Sequence, residues 1–233
     1  MTTFNAGWVP GLATGFLFAV ALAGASGAEA AAPRRPVEFD ICQGCHGVSG
    51  QGNAELGAPR IAGLDPQYIG QQLSNFRDGR RGGGDELGAQ MIAISSTLDD
   101  TTIGRLAAYI GAMPETAVSP TLKADPRAGQ STYATCAACH GAHGEGNVAL
   151  GGPRLAGMSD WYLVRQFSAF VSGKRGAAAG DDRGAAMRGI AQSLKSERTV
   201  RDVIAYAVSL QIPAVAASEK CVDGAEGTCG SSH

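Results

Sequence analysis

Cys42-Gln43-Gly44-Cys45-His46 and Cys136-Ala137-Ala138-Cys139-His140 decide how this chain folds, and they stand 94 residues apart. Two thiols separated by two residues lie one helical turn apart, so both can add to the vinyl groups of a single haem. The histidine that follows is then held against the iron. A lone Cys-x-x-Cys reads equally well as a thiol redox pair. Two copies, each followed by histidine and each inside a longer repeat, point to two covalently attached haem c groups.

The repeat extends well beyond the motifs. At the same offset, Gly57-Ala58-Pro59-Arg60-Ile61-Ala62-Gly63 matches Gly151-Gly152-Pro153-Arg154-Leu155-Ala156-Gly157. Tyr68, Gln72 and Phe76 match Tyr162, Gln166 and Phe170, and Gly79-Arg80-Arg81-Gly82 matches Gly173-Lys174-Arg175-Gly176. The offset drifts to 96 at Met91 and Met187 and to 97 at Tyr109 and Tyr206, as small insertions in glycine-rich loops would cause. The expected organisation is two tandem domains, 33–120 and 121–213, between a leader at 1–30 and a tail at 214–233.

Helical periodicity places the elements within each domain. One helix should end in each Cys-x-x-Cys-His. Another is expected over about 66–77, where Tyr68, Ile69, Leu73 and Phe76 share a face, with its repeat over about 160–171. A last helix spans about 99–112, with Ile103, Leu106, Ala107 and Ile110 inward, and recurs over about 197–210 with Val200, Val203, Ile204 and Ala207. Asp99 and Ser196 are the expected N-caps. No stretch shows sustained strand alternation, so the fold class is all-α. Domains of about ninety residues bury little apolar surface, so each is expected to wrap round its haem and to fold poorly without it.

A net charge of −2 gives no reason to expect nucleic-acid binding, but its distribution is uneven. Residues 33–120 hold 7 Lys/Arg against 10 Asp/Glu, while 121–212 hold 11 against 7. Such a dipole would orient docking partners; ordinary surface variation is the plainer alternative. Residues 12–25 are almost wholly apolar, and Ala28-Glu29-Ala30 has the small-x-small form of a signal cleavage site, although residues 1–10 lack Lys and Arg. An uncleaved membrane anchor over 4–25 is the alternative. Arg34 and Arg35 would then hold the rest of the chain in the cytoplasm. That conflicts with haem attachment, which in c-type cytochromes happens outside the inner membrane. Export with cleavage, to the periplasm, is the expectation.

A haem iron has two axial positions, and His46 and His140 each take one. The second must come from His, Met, Cys, Tyr or Lys, or stay open. The repeat acts as a filter here. Met113 corresponds to Leu210 and Met158 to Leu64, so both read as packing. Met91 and Met187 alone correspond to each other, and they are the expected sixth ligands. The alternative is a pair of core methionines. Thioether ligation favours ferrous iron and raises the potential. With both positions filled by protein, substrate cannot reach the metal, which favours a carrier over a catalyst. His143, on a glycine-rich turn, reads as a solvent-facing loop residue, and His233, the last residue, as part of a disordered end.

Taken together, the chain over about 37–212 resembles the dihaem cytochrome c4 family, built from two class I cytochrome c domains in tandem. The Cys-x-x-Cys-His-Gly segments, Gly50-Gln51-Gly52-Asn53 with Gly144-Glu145-Gly146-Asn147, the Pro-Arg-(Ile/Leu)-Ala-Gly segments, the Tyr…Gln…Phe helices and the two methionines carry the resemblance. It implies that Pro59 and Pro153 line the haem pockets, each with a backbone carbonyl near a histidine ring. It also implies that Arg60, Arg154, Tyr68 and Tyr162 lie near haem propionates. The alternative makes these four structural residues of loop and core.

The tail over 218–233 has no counterpart in the first domain. Cys221 and Cys229 remain after haem attachment has used four of the six cysteines, and in an exported chain a local disulfide is the natural reading. Free thiols, a partner crosslink and metal binding are the alternatives.

The expected function is a periplasmic electron carrier, passing electrons between redox proteins such as a quinol–cytochrome c reductase, a terminal oxidase or a dehydrogenase. An electron-accepting subunit of a dehydrogenase complex, oxidising sulfur compounds or alcohols, is the alternative. A dihaem enzyme needs an openable iron or a cysteine ligand, which paired methionines do not suggest.

Overall fold

Asp65-Pro66 writes a helix start into the chain. The Asp65 carboxylate accepts from the backbone N–H groups of Gln67 (2.8 Å) and Tyr68 (3.1 Å), and proline fills the first helical position, where no donor is needed. The structure, a computed structural model, describes residues 1–3 and 32–211. The leader with its alternative anchor and the Cys221/Cys229 tail lie outside the described residues.

Eight helices are present among the described residues, in two sets of four. The first set is α1 (Phe39–His46), α2 (Pro66–Arg77), α3 (Glu86–Ser95) and α4 (Asp100–Ala112). The second is α5 (Pro126–His140), α6 (Asp160–Val171), α7 (Asp182–Ser193) and α8 (Glu197–Ser209). No strand occurs among the described residues; two isolated bridges, Asn53 to Ala58 and Asn147 to Gly152, fall at repeat-related positions. None of the described helices is long and apolar enough to cross a membrane. Both sets belong to a single compact unit.

The helices at 66–77 and 160–171 form over the expected residues. Asp99 and Ser196 cap α4 and α8 through the N–H groups of Thr102 (2.7 Å) and Thr199 (3.2 Å). Helices α3 and α7 are additions to the expected set. Helix α7 is rich in alanine and glycine, and α3 carries apolar residues on more than one face, so neither shows a sharp apolar stripe.

Packing repeats with the sequence. Phe39 meets Tyr109 edge to face at 5.2 Å, and the repeat-related Tyr133 meets Tyr206 at 5.3 Å. In the second lobe, α5 crosses α8 so closely that a Cβ on Gly129 would collide with the Asp202 carbonyl. The first lobe has one core, built from Phe39, Leu64, Ile69, Ile103, Leu106 and Ile110. The second has two small clusters, around Tyr133–Val203 and Val200–Ile204. Met113 and Met158 are both buried in the first-lobe core, as the repeat arithmetic requires of packing residues.

Asp160 ties the chain between lobes to α6. Its carboxylate accepts from Thr121 N (2.6 Å), Thr121 Oγ1 (2.9 Å), Leu122 N (2.7 Å) and Trp161 N (2.7 Å). Burial pushes this carboxyl up, but the hydrogen bonds outweigh it and hold the group below the usual aspartate range. The depressed folded value means its stabilisation is present above the unfolded pKa and is lost as pH falls through the folded one. Asp160→Asn is therefore expected to cost about 2 kcal/mol at neutral pH and much less in acid, measured by denaturant unfolding across pH.

Candidate haem sites

Each Cys-x-x-Cys-His closes the helix that carries it. Cys42, Cys45 and His46 occupy the last turns of α1, and Cys136, Cys139 and His140 those of α5. None of these four cysteines is in a disulfide. Burial pushes the Cys42 and Cys136 thiols up, away from the acidic thiolate that a redox-active pair needs.

The two histidine rings are set alike. Nδ1 of His46 lies 2.8 Å from the Pro59 carbonyl, and Nδ1 of His140 lies 2.7 Å from that of Pro153. A carbonyl only accepts, so Nδ1–H donates and Nε2 is left with its lone pair. Burial lowers both imidazole pKa values against the opposing pull of the carbonyl, so the neutral ring is favoured. This is the protonation state a metal requires. Neither Nε2 donates or accepts a hydrogen bond among the described residues.

Met91 and Met187 sit one turn into α3 and α7, both half-buried and outside the core clusters. A close backbone approach fixes the start of each helix. Gly82 (φ 97°) and Gly176 (φ 75°) press on Gly88 and Gly184, and a Cβ on Gly82 would stand 2.7 Å from the Gly88 carbonyl oxygen.

Where the lobes meet, repeat-related side chains cross over. Arg81 donates to Gln72 (2.7 Å) in its own lobe, and to Tyr162 Oη (2.7 Å) and Gln166 (3.0 Å) in the other. Arg175 returns the pattern, to Gln166 (2.7 Å), Tyr68 Oη (3.3 Å) and Gln72 (3.0 Å). Each guanidinium also stacks on its own lobe's aromatic ring, Phe76 or Phe170, at 4.5 Å. Burial works to raise the Tyr68 pKa, but Arg175 and Arg81 overcome it and hold the phenol below its ordinary value. Arg60 is 1% exposed and donates to the Ala62 carbonyl (3.3 Å) and Met158 Sδ (3.4 Å). Arg154 pairs with Glu115, which also stands 3.8 Å from Arg60. The four residues expected near propionates thus all lie at this seam. Gln72, Gln166, Arg81, Arg175 and Glu115 join them there; the sequence marks the first four only as matched polar positions in the repeat.

These residues fit two covalent haems. A cleft of about 440 Å³ lies beside the second site, lined by Pro153 and Arg154 with Tyr68, Met113, Glu115 and Asn147, and none of the eight expected haem-attaching and iron-ligating side chains lines it. The arginines of the seam outnumber its carboxylates, and Arg60 Nε and Arg165 Nε are buried without a hydrogen-bond partner. A propionate is the kind of anion such orphaned guanidinium donors lack. When bound, haem c supplies a reversible one-electron ferric/ferrous couple.

The family model for cytochrome c matches residues 38–114 and 126–211. Cytochrome c4 of Azotobacter vinelandii is 30% identical over 174 residues, 67% of this chain and 79% of that protein. A thiosulfate dehydrogenase electron acceptor of Stutzerimonas stutzeri is 33% identical over 145 residues, 58% of this chain and 64% of that one. The solved cytochrome c4 of Acidithiobacillus ferrooxidans superposes with a TM-score of 0.63 at 28% identity, covering 74% of this chain and 99% of its own. The chain belongs to the cytochrome c family, as a dihaem protein of the cytochrome c4 type with two tandem cytochrome c domains and two covalently attached haem c groups.

Proposed function

We propose that this dihaem cytochrome is an electron carrier rather than an enzyme, with both irons closed by protein ligands. The observation that carries this reading is the duplication of the site: two neutral histidines with Nε2 free, and one repeat-matched methionine per lobe lying outside the core. Cys42, Cys45, Cys136 and Cys139 would hold the haems through thioether bonds, His46 and His140 through Nε2, and Met91 and Met187 through sulfur. The chain's own part is then to fix these ligands, exclude water and keep the lobes together. Each repeat, 33–120 and 121–213, serves as one haem domain. The leader at 1–30 directs export to the periplasm, where its donors and acceptors are other redox proteins. Carbon monoxide added to the reduced holoprotein is expected to leave both haem spectra unchanged; binding at either iron would contradict a closed carrier.

The second reading, an electron-accepting subunit of a dehydrogenase, is favoured by one finding, the likeness to a thiosulfate dehydrogenase electron acceptor. It differs from the first only in partner, and co-purification from a periplasmic or membrane extract separates the two.

A further inference from the structure

Asn75 belongs to the first lobe, yet it touches the start of the second lobe's methionine-bearing helix. It lies near the end of α2 and is 2% exposed. Its side-chain oxygen accepts from Gln71 Nε2 (2.9 Å) and Arg80 Nε (3.1 Å), which fixes the amide orientation. The amide NH2 then donates to Asp181 Oδ1 at 3.4 Å. Asp181, also buried, is the N-cap of α7, and the same oxygen accepts from Gly184 N at 3.1 Å. Met187 lies one turn further along that helix. The cap that fixes where α7 begins is therefore itself held by a side chain of the other lobe.

The repeat provides an internal control. The position matching Asn75 is Ala169, which has no side-chain donor. The position matching Asp181, at the offset of the two methionines, is Asp85; it is exposed and caps α3 without a side-chain hydrogen bond. The loop before α7 is also longer than its partner before α3, with Gly176 to Asp181 in place of Gly82 to Asp85. The added length places the cap against α2 of the first lobe. Among the described residues, this hydrogen-bonded hold on the cap of a methionine helix is found only in the second lobe.

We infer that Asn75 is a positioning residue for Met187, acting through Asp181, so that the first lobe steadies the sixth ligand of the second haem through a hydrogen bond that the cap of α3 lacks. The inference rests on the reading of Met187 as an iron ligand. Losing a hydrogen bond to a buried carboxylate weakens the arrangement it supports by about tenfold.

The test is a titration of the oxidised holoprotein with imidazole, which competes with methionine sulfur for ferric iron. Met91→Ala and Met187→Ala assign the two binding phases. Asn75→Ala should tighten imidazole binding at the second haem about tenfold and leave the first unchanged. Asn75→Asp, which keeps the acceptor for Gln71 and Arg80 but loses the donor to Asp181, should do the same. If Asn75→Ala yields no holoprotein, Asn75→Ser, which keeps a short polar side chain, reads the same quantity. Should Met187→Ala leave both phases as in the parent, the ligand reading fails and this inference fails with it. Should Met187→Ala abolish one phase while the Asn75 variants leave both affinities unchanged, the ligand reading stands and the inference is overturned.

Discussion

Replacing Met187 by alanine is expected to open one iron and leave the other as it was. The haem of the second lobe would become high-spin in the reduced protein, bind carbon monoxide and lose potential on the order of 0.2 V, within the span of about 0.8 V that axial ligands cover. The first-lobe haem would keep its spectrum, because Met91 is carried by α3, a different helix in a different repeat. Met91→Ala is expected to give the mirror image. The other two described methionines of the folded lobes should behave oppositely. Met113 and Met158 are 8% and 5% exposed in the first-lobe core, so truncation to alanine should cost about 2–4 kcal/mol and leave both haems six-coordinate. Visible spectra with denaturant unfolding separate these outcomes. If Met187→Ala left both haems low-spin and high-potential, the ligand assignment would be wrong.

Arg81→Ala is expected to have the largest effect on stability of any single change at the seam. The side chain is buried, and it serves Gln72, Tyr162 and Gln166 while facing Asp181. Truncation leaves Tyr162 Oη without its donor, takes one of two guanidinium donors from Gln72 and Gln166, and removes the charge that faces the buried Asp181, at a cost of about 3 kcal/mol. Because those partners belong to both lobes, the variant should also unfold in two transitions where the parent unfolds in one. Absorbance of the haems and helical circular dichroism, followed through the same denaturant series, would resolve them. Arg105→Ala is the control: its ion pair with Glu38 at 2.7 Å is half exposed, and its loss should change stability by no more than about 0.5 kcal/mol.

The sequence makes the Cys-x-x-Cys-His segments and four of the helices legible and leaves α3, α7 and the seam obscure, for physical reasons. Asp65-Pro66, Asp99 and Ser196 are local start signals, so α2, α4 and α8 can be placed from their own residues. Each Cys-x-x-Cys-His ends its helix because the motif is itself a helical-turn device. Helices α3 and α7 escape periodicity for different reasons: Ile92 and Ala93 blur the Leu87–Met91–Ile94 face of α3, while Gly184, Ala185, Ala186 and Gly189 leave α7 almost without one; the glycine contacts at their starts and tertiary packing hold both. Gln72, Arg81, Gln166 and Arg175 stand out in the repeat as matched polar residues, but their partners lie in the opposite lobe, and no local pattern reports a crossing. The Asn75–Asp181 contact is hidden further, since it breaks the repeat instead of following it.

The most direct test of two closed, methionine-ligated haems is a redox titration of the purified holoprotein that follows the spectrum of each haem. The account predicts two one-electron steps at positive potential, with both haems low-spin in both oxidation states. Each ferric haem should also show the weak red absorption of a sulfur-to-iron transition. A high-spin haem in the reduced native protein, or a low-spin haem lacking that absorption, would contradict it.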